Sequence, residues 1–276
     1  MVAAREAELC TQAFGDPQAP PVLLVMGQMA SMLWWPDGLC RLLADAGRFV
    51  VRYDNRDAGA STAYPPGEPA YGGDDLVLDA VAVLDGYGIE RAHLAGMSAG
   101  GAVVQLLAAN FPDRVLTVTL ISTTDAGGPP ADLPGPSAAY LEHAGAFTDL
   151  DWSDAGAVAD MLVAEARALT GAGREFDAAA TREFVERDLA RACSPASLQN
   201  HALLAEGELG GGVANVGAPV LVIHGTAAPL FPFEHGAALA EAAGGAELVA
   251  LEGGGHELHP SDWGRIAQAV VRHTGS

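Results

Sequence analysis

The chain has 276 residues, half of them hydrophobic, and 35 acidic against 14 basic side chains give a formal net charge of −21. All 14 bases are arginine, which excludes Schiff-base and P-loop lysine chemistry, while so negative a field disfavours nucleic acid and anionic membranes as partners. No apolar run reaches membrane-span length, residues 1–10 hold Arg5, Glu6 and Glu8 in place of a signal-peptide core, and Cys10, Cys40 and Cys193 are too scattered for a disulfide framework or a metal knuckle.

These exclusions leave a cytoplasmic protein that takes a small molecule, built as one large α/β domain with an insertion. In chain order, residues 7–14 read as an edge strand closed by the Gly15-Asp16-Pro17 turn. The continuous apolar run 21–26 has the pattern of a strand buried on both faces and ends in Gly27-Gln28-Met29. Trp34 and Trp35 precede a helix that opens at Pro36, and a strand over 49–54 feeds the polar loop 55–61. Apolar spacing predicts a helix over 74–87, stopped by Gly86 and Gly88. A strand over 92–97, a helix to Asn110 and a strand over 115–121 come next. Such alternation is the pattern of a mainly parallel central sheet flanked by helices.

The alternation stops at Thr123, and no strand is predicted before about residue 212; helices are expected over 155–169, 178–191 and 194–206. Residues 126–212 are therefore expected to form a helical lid inserted after the sixth core strand, with 1–125 and 213–276 as the core. A plain helical layer with no part in substrate choice is the alternative. Met29, Trp34, Trp35, Phe147 and Trp152 are the expected pocket residues. The sheet resumes with strands over 219–224 and 246–251, and helices are predicted over 233–243 and 262–273.

Chemistry is concentrated in Gly96-Met97-Ser98-Ala99-Gly100. At a strand-to-helix junction this Gly-x-Ser-x-Gly pattern makes a strained turn that pushes the serine oxygen out of the sheet, and the glycines let the backbone fold that tightly. The Ala99 amide then lies at a helix N-terminus, where unpaired N–H groups favour developing negative charge. Among eight histidines, His256 stands after the last strand on the Gly253-Gly254-Gly255 loop and comes after Ser98 in the chain, which marks it as the catalytic base; His259 is its weaker competitor.

With these residues the chain resembles the α/β-hydrolases over nearly its whole length. The Met26-Gly27-Gln28 turn, the loop from Asp54 to Ser61, the Ser98 elbow and Gly255-His256 carry the resemblance. More narrowly, Leu24-Val25-Met26-Gly27, Arg52-Tyr53-Asp54 and Val81-Ala82-Val83-Leu84-Asp85-Gly86 are similar to the aclacinomycin methylesterase group, which acts on methyl esters of aromatic polyketides. The resemblance implies a serine hydrolase of secondary metabolism, without metal or organic cofactor, acting on a hydrophobic polyketide-like ester through an acyl-enzyme on Ser98. It implies His256 as base and the amides of Gln28 and Ala99 as the oxyanion hole. Arg56 is expected to anchor loops.

One position departs from the family pattern. The family places Gly-x-x-Asp after the strand ending here at His224, and that aspartate orients the histidine, whereas this chain has Gly225-Thr226-Ala227-Ala228. Loss of such an acid costs on the order of 10⁴-fold in turnover. Asp125, just past the strand 115–121, either takes over the role or is a turn residue beside Gly127 and Gly128. Glu234 reads as a first-turn charge on a helix dipole. Two other classes stay open: a non-hydrolytic cyclase, lyase or decarboxylase using His256 as a proton shuttle, and a ligand-binding pseudo-hydrolase.

Overall fold

The apolar runs become strands and the periodic segments become helices in the computed structural model, which describes residues 1–147, 149–205 and 207–275. The N-terminal run forms two strands, where one was expected. β1 (Val2–Ala4) and β2 (Ala7–Leu9) make an antiparallel hairpin of their own, and the chain then crosses into β3 (Thr11–Phe14). The break falls at Cys10, whose N–H donates to Ser61 Oγ (2.8 Å) and whose carbonyl accepts from Asp54 N–H (2.9 Å).

The main sheet continues with β4 (Pro21–Val25), β5 (Phe49–Tyr53), β6 (Ala92–Met97), β7 (Val115–Ile121), β8 (Val220–Gly225) and β9 (Glu247–Leu251). Its seven strands lie in the order β3-β5-β4-β6-β7-β8-β9, with β3 antiparallel and all other pairings parallel. Both faces are covered, as a parallel sheet requires. Helices α1 (Asp37–Asp45), α2 (Gly73–Gly86) and α3 (Ala99–Asn110) link the early strands. Val83, Leu84, Val104 and Leu107 of α2 and α3 pack on one face, and Leu39 and Leu43 of α1 pack on the other.

The helical insertion leaves the sheet after β7. That is the fifth of the seven sheet strands in chain order, so the expected sixth is corrected. It contains α4 (Ala138–Ala146), α5 (Ala155–Leu169) and α6 (Ala178–Arg191), the last two with the predicted bounds. The third expected helix, 194–206, is a 3₁₀ helix, Pro195–Ala202, with Pro195 in its first turn; Glu206 lies outside the described residues. α4 escapes sequence patterning because none of its residues is buried, so it carries no apolar stripe. After β8 come α7 (Phe233–Ala242) and α8 (Trp263–His273), whose Ile266 and Val270 complete the face shared with α1. Among the described residues no helix is long and apolar enough to cross a membrane.

Candidate active site

Ser98 has φ 53° and ψ −125°, a left-handed conformation for a residue with a side chain, and it is the turn between β6 and α3. Its N–H donates to Ile121 O (3.0 Å) on β7, and Thr123 Oγ1 donates to Ser98 O (2.7 Å). The flanking glycines are needed for space. A Cβ at Gly96 would collide with the Gly100 carbonyl, and one at Gly100 with the Val25 carbonyl. A Cβ at Gly27 would stand 3.0 Å from Ser98 Cβ and 3.5 Å from its Oγ, so the turn after β4 lies directly beside the Ser98 hydroxyl. Among the described residues neither the Gln28 nor the Ala99 N–H donates a hydrogen bond, which leaves both amides available for an oxyanion.

His256 lies past β9 and is buried, with its ring 5.7 Å from that of Phe231. Its backbone N–H donates to Leu169 O (2.8 Å) at the end of α5. Burial, with His224 as a second influence, pushes the imidazole pKa down to about 3. Among the described residues no hydrogen bond joins Ser98 Oγ to the ring, and His256 Nδ1 has no partner. Ala228, after β8, is buried and its side chain offers no acceptor. Asp125 does not fill that role in this structure. Its Oδ1 accepts from Gly127 N–H (3.0 Å) and Val213 N–H (2.9 Å), so it closes its own turn and pins the end of the insertion to the core. His259 caps the 3₁₀ helix Pro260–Asp262, and Glu234 lies in the first turn of α7.

A family model described as the alpha/beta hydrolase fold matches residues 20–262. The chain belongs to the alpha/beta hydrolase family. The hydrolase is 33% identical to rhodomycin D methylesterase DauP from Streptomyces sp. (strain C5), over 99% of this chain and 97% of the relative. It is equally identical, with the same coverage, to rhodomycin D methylesterase DnrP from Streptomyces peucetius. Among solved structures, esterase RhEst1 from Rhodococcus sp. ECU1013 superposes with a TM-score of 0.79 at 23% identity, covering 100% of this chain and 98% of that one, a likeness of fold.

The insertion of the hydrolase is sewn to its core by polar contacts that no local sequence pattern announces. The fully buried Asp54 accepts from Arg191 of α6 through both oxygens (2.6 and 3.1 Å) and from the amides of Met32 and Ala60. Asp188 accepts from Ser31 Oγ (2.6 Å) and Trp34 Nε1 (3.2 Å), and burial raises its pKa. Asn200 donates to Asp57, and His201 bridges Met29 and Arg56. Arg56 anchors loops as expected, in a buried two-bond ion pair with Asp79 (2.7 and 2.8 Å).

Of the expected pocket residues, Met29, Trp34, Phe147 and Trp152 are brought together, half-buried against a cluster that includes Val158, Met161 and Leu162 of α5. Trp35 is corrected. It is only 1% exposed and packs in the core with Leu39 and Leu43 of α1, whereas Trp34 is half-buried between that core and the cluster under α5.

Proposed function

We propose that the chain is a cytoplasmic enzyme that hydrolyses an ester, specifically a methyl ester, of a hydrophobic polyketide-like small molecule through an acyl-enzyme on Ser98. The observation that carries this is the left-handed Ser98 turn standing beside the undonated amides of Gln28 and Ala99. Full-length similarity to two methylesterases supports the substrate class. The segment 126–212 acts as the lid, and the apolar body of the substrate rests on Met29, Trp34, Phe147 and Trp152.

Ser98 Oγ attacks the acyl carbon while His256 takes its proton, and the carbonyl oxygen becomes an oxyanion that accepts from the Gln28 and Ala99 amides. Collapse expels the alkoxide, which regains the proton from His256 and departs as methanol. Water, deprotonated by His256, then attacks the acyl-enzyme; the second collapse releases the carboxylic acid and returns the proton to Ser98. Among the described residues no carboxylate bonds His256 Nδ1, so the oxyanion hole carries a larger share of the rate than in a complete triad. Hole and binding alone supply about 10³–10⁴-fold over water in serine proteases.

Labelling with a fluorophosphonate tests this directly. A mass adduct on Ser98 is expected, together with loss of methanol release by at least about 10³-fold in Ser98→Ala. Product formation at the wild-type rate in Ser98→Ala would instead establish a non-hydrolytic reaction, and ligand binding without an adduct a pseudo-hydrolase.

A further inference from the structure

We propose that His201, a lid residue, is a positioning residue for the oxyanion hole: its imidazole fixes the Gln28–Met29 peptide and so restrains the adjoining Gly27–Gln28 peptide, whose Gln28 N–H is presented to the substrate. His201 sits near the end of the 3₁₀ helix Pro195–Ala202, 172 residues from the turn it touches. Its Nδ1 lies 2.8 Å from Met29 N, and its Nε2 lies 2.6 Å from Arg56 O. A backbone N–H only donates and a carbonyl only accepts, so these two partners fix the neutral tautomer, with the proton on Nε2 and the lone pair of Nδ1 accepting from Met29.

The turn needs such a restraint. Met29 has φ 57°, a left-handed conformation disfavoured for a residue with a side chain. Left alone, Met29 relaxes to negative φ by rotation of the 28–29 peptide plane, which changes the backbone angles of Gln28 as well. The Met26–Gly27 plane is held separately, because Asn55 Nδ2 donates to Met26 O (3.1 Å). The peptide that carries the Gln28 N–H therefore lies between two tethered neighbours, one held by the core and the other by the lid.

His201 is itself held firmly. Next to it, Asn200 donates to Asp57 Oδ2 (3.0 Å) and accepts from Gly67 N–H (2.7 Å), and Ser197 Oγ donates to Tyr64 O (2.6 Å). The lid thus does more than cover the site, since one of the two oxyanion donors is aimed only when the segment 195–202 is seated.

The catalytic part of this inference rests on the acyl-enzyme reading, so its test has one arm that needs no turnover. Two variants separate the contacts. In His201→Asn the side-chain oxygen stands where Nδ1 stood and still accepts from Met29, while the bond to Arg56 is lost. In His201→Gln the amide reaches the Nε2 position, keeps the bond to Arg56 and leaves Met29 N–H without an acceptor. In ¹⁵N-labelled protein, a single sharp Gln28 amide resonance is expected for wild type and His201→Asn, and a shifted or multiple one for His201→Gln. In turnover of a p-nitrophenyl ester, His201→Gln is expected to lose about 10²-fold in kcat with KM nearly unchanged, the scale of one lost oxyanion donor, while His201→Asn stays within about fivefold of wild type. A Gln28 resonance unchanged in His201→Gln, or equal losses in both variants, would overturn the proposal. Failure of the wild type to turn over any ester overturns the acyl-enzyme reading and leaves the resonance arm to decide the clamp.

Discussion

At the His256 imidazole, burial and the neighbouring His224 hold the ring neutral above about pH 3. A general base must be neutral to accept a proton, so that state is populated throughout the ordinary pH range, and kcat/KM should be flat between about pH 5 and 8. In the proposed mechanism the weakness comes once the proton has been transferred, because among the described residues no group bonds Nδ1 to stabilise the imidazolium. Ala228→Asp supplies one. A carboxylate there favours the charged ring and raises its pKa, so an acid limb should enter the profile, with the rate falling as pH drops through the new value. Turnover should rise by roughly 10²–10⁴-fold, the inverse of removing such an acid. Steady-state kinetics across pH on both proteins measures this; a folded Ala228→Asp with neither gain nor acid limb shows that position 228 does not face the ring.

At the scale of elements, α6 is tied to the core by Arg191 on Asp54. Arg191→Met strips two charge-assisted bonds from a fully buried carboxylate and should cost about 3 kcal/mol, since removal of one partner leaves a buried charge poorly compensated. Urea unfolding would measure it, and adding Asp54→Asn to the same protein should recover part of the loss. A change within about 0.5 kcal/mol, the scale of ordinary surface substitutions, would show that the pair does not fasten the helical insertion. This contact also marks the limit of what could be read in the chain. The elbow was legible because its requirement is local: Gly96, Ser98 and Gly100 need only one another and the strand before them. α5 and α6 were legible from apolar spacing. Asp54–Arg191 and Met29–His201 join residues 137 and 172 positions apart, and nothing in either local stretch signals the other. Trp34 and Trp35 looked alike in sequence, yet Trp35 is closed in the core while Trp34 stays half-buried between that core and the helical insertion. Asp125 was undecidable, because an aspartate after β7 can serve a turn or a histidine and only its hydrogen bonds show which.

For the whole molecule, buried histidines set how stability responds to acid. His93 on β6, bonded through Nδ1 to Thr117 Oγ1 (2.9 Å), has its pKa pushed down to about 4 by burial first and by Arg48 and His273 next. Its folded pKa lies below the unfolded value of 6.5, so the unfolded chain binds the extra proton. The stability it contributes is complete above about pH 6.5 and is lost as pH falls towards 4. From pH 7 to pH 5 this one ring should account for about 2 kcal/mol of lost stability. His201, His224 and His256, also lowered by burial, add to the same slope, while the raised carboxyls of Asp79, Asp188 and Glu257 oppose it. Unfolding free energies at the two pH values should show a smaller drop for His93→Gln than for wild type; identical drops would acquit the ring. The left-handed turn at Ser98 bears on the same total. Strain of about 1–3 kcal/mol at one residue is a visible fraction of the roughly 5–15 kcal/mol that holds a domain folded. Glycine adopts that turn without the strain. A chain shaped for durability alone would place glycine at 98, and the serine there is a residue that folding disfavours and that the proposed acyl-enzyme chemistry accounts for.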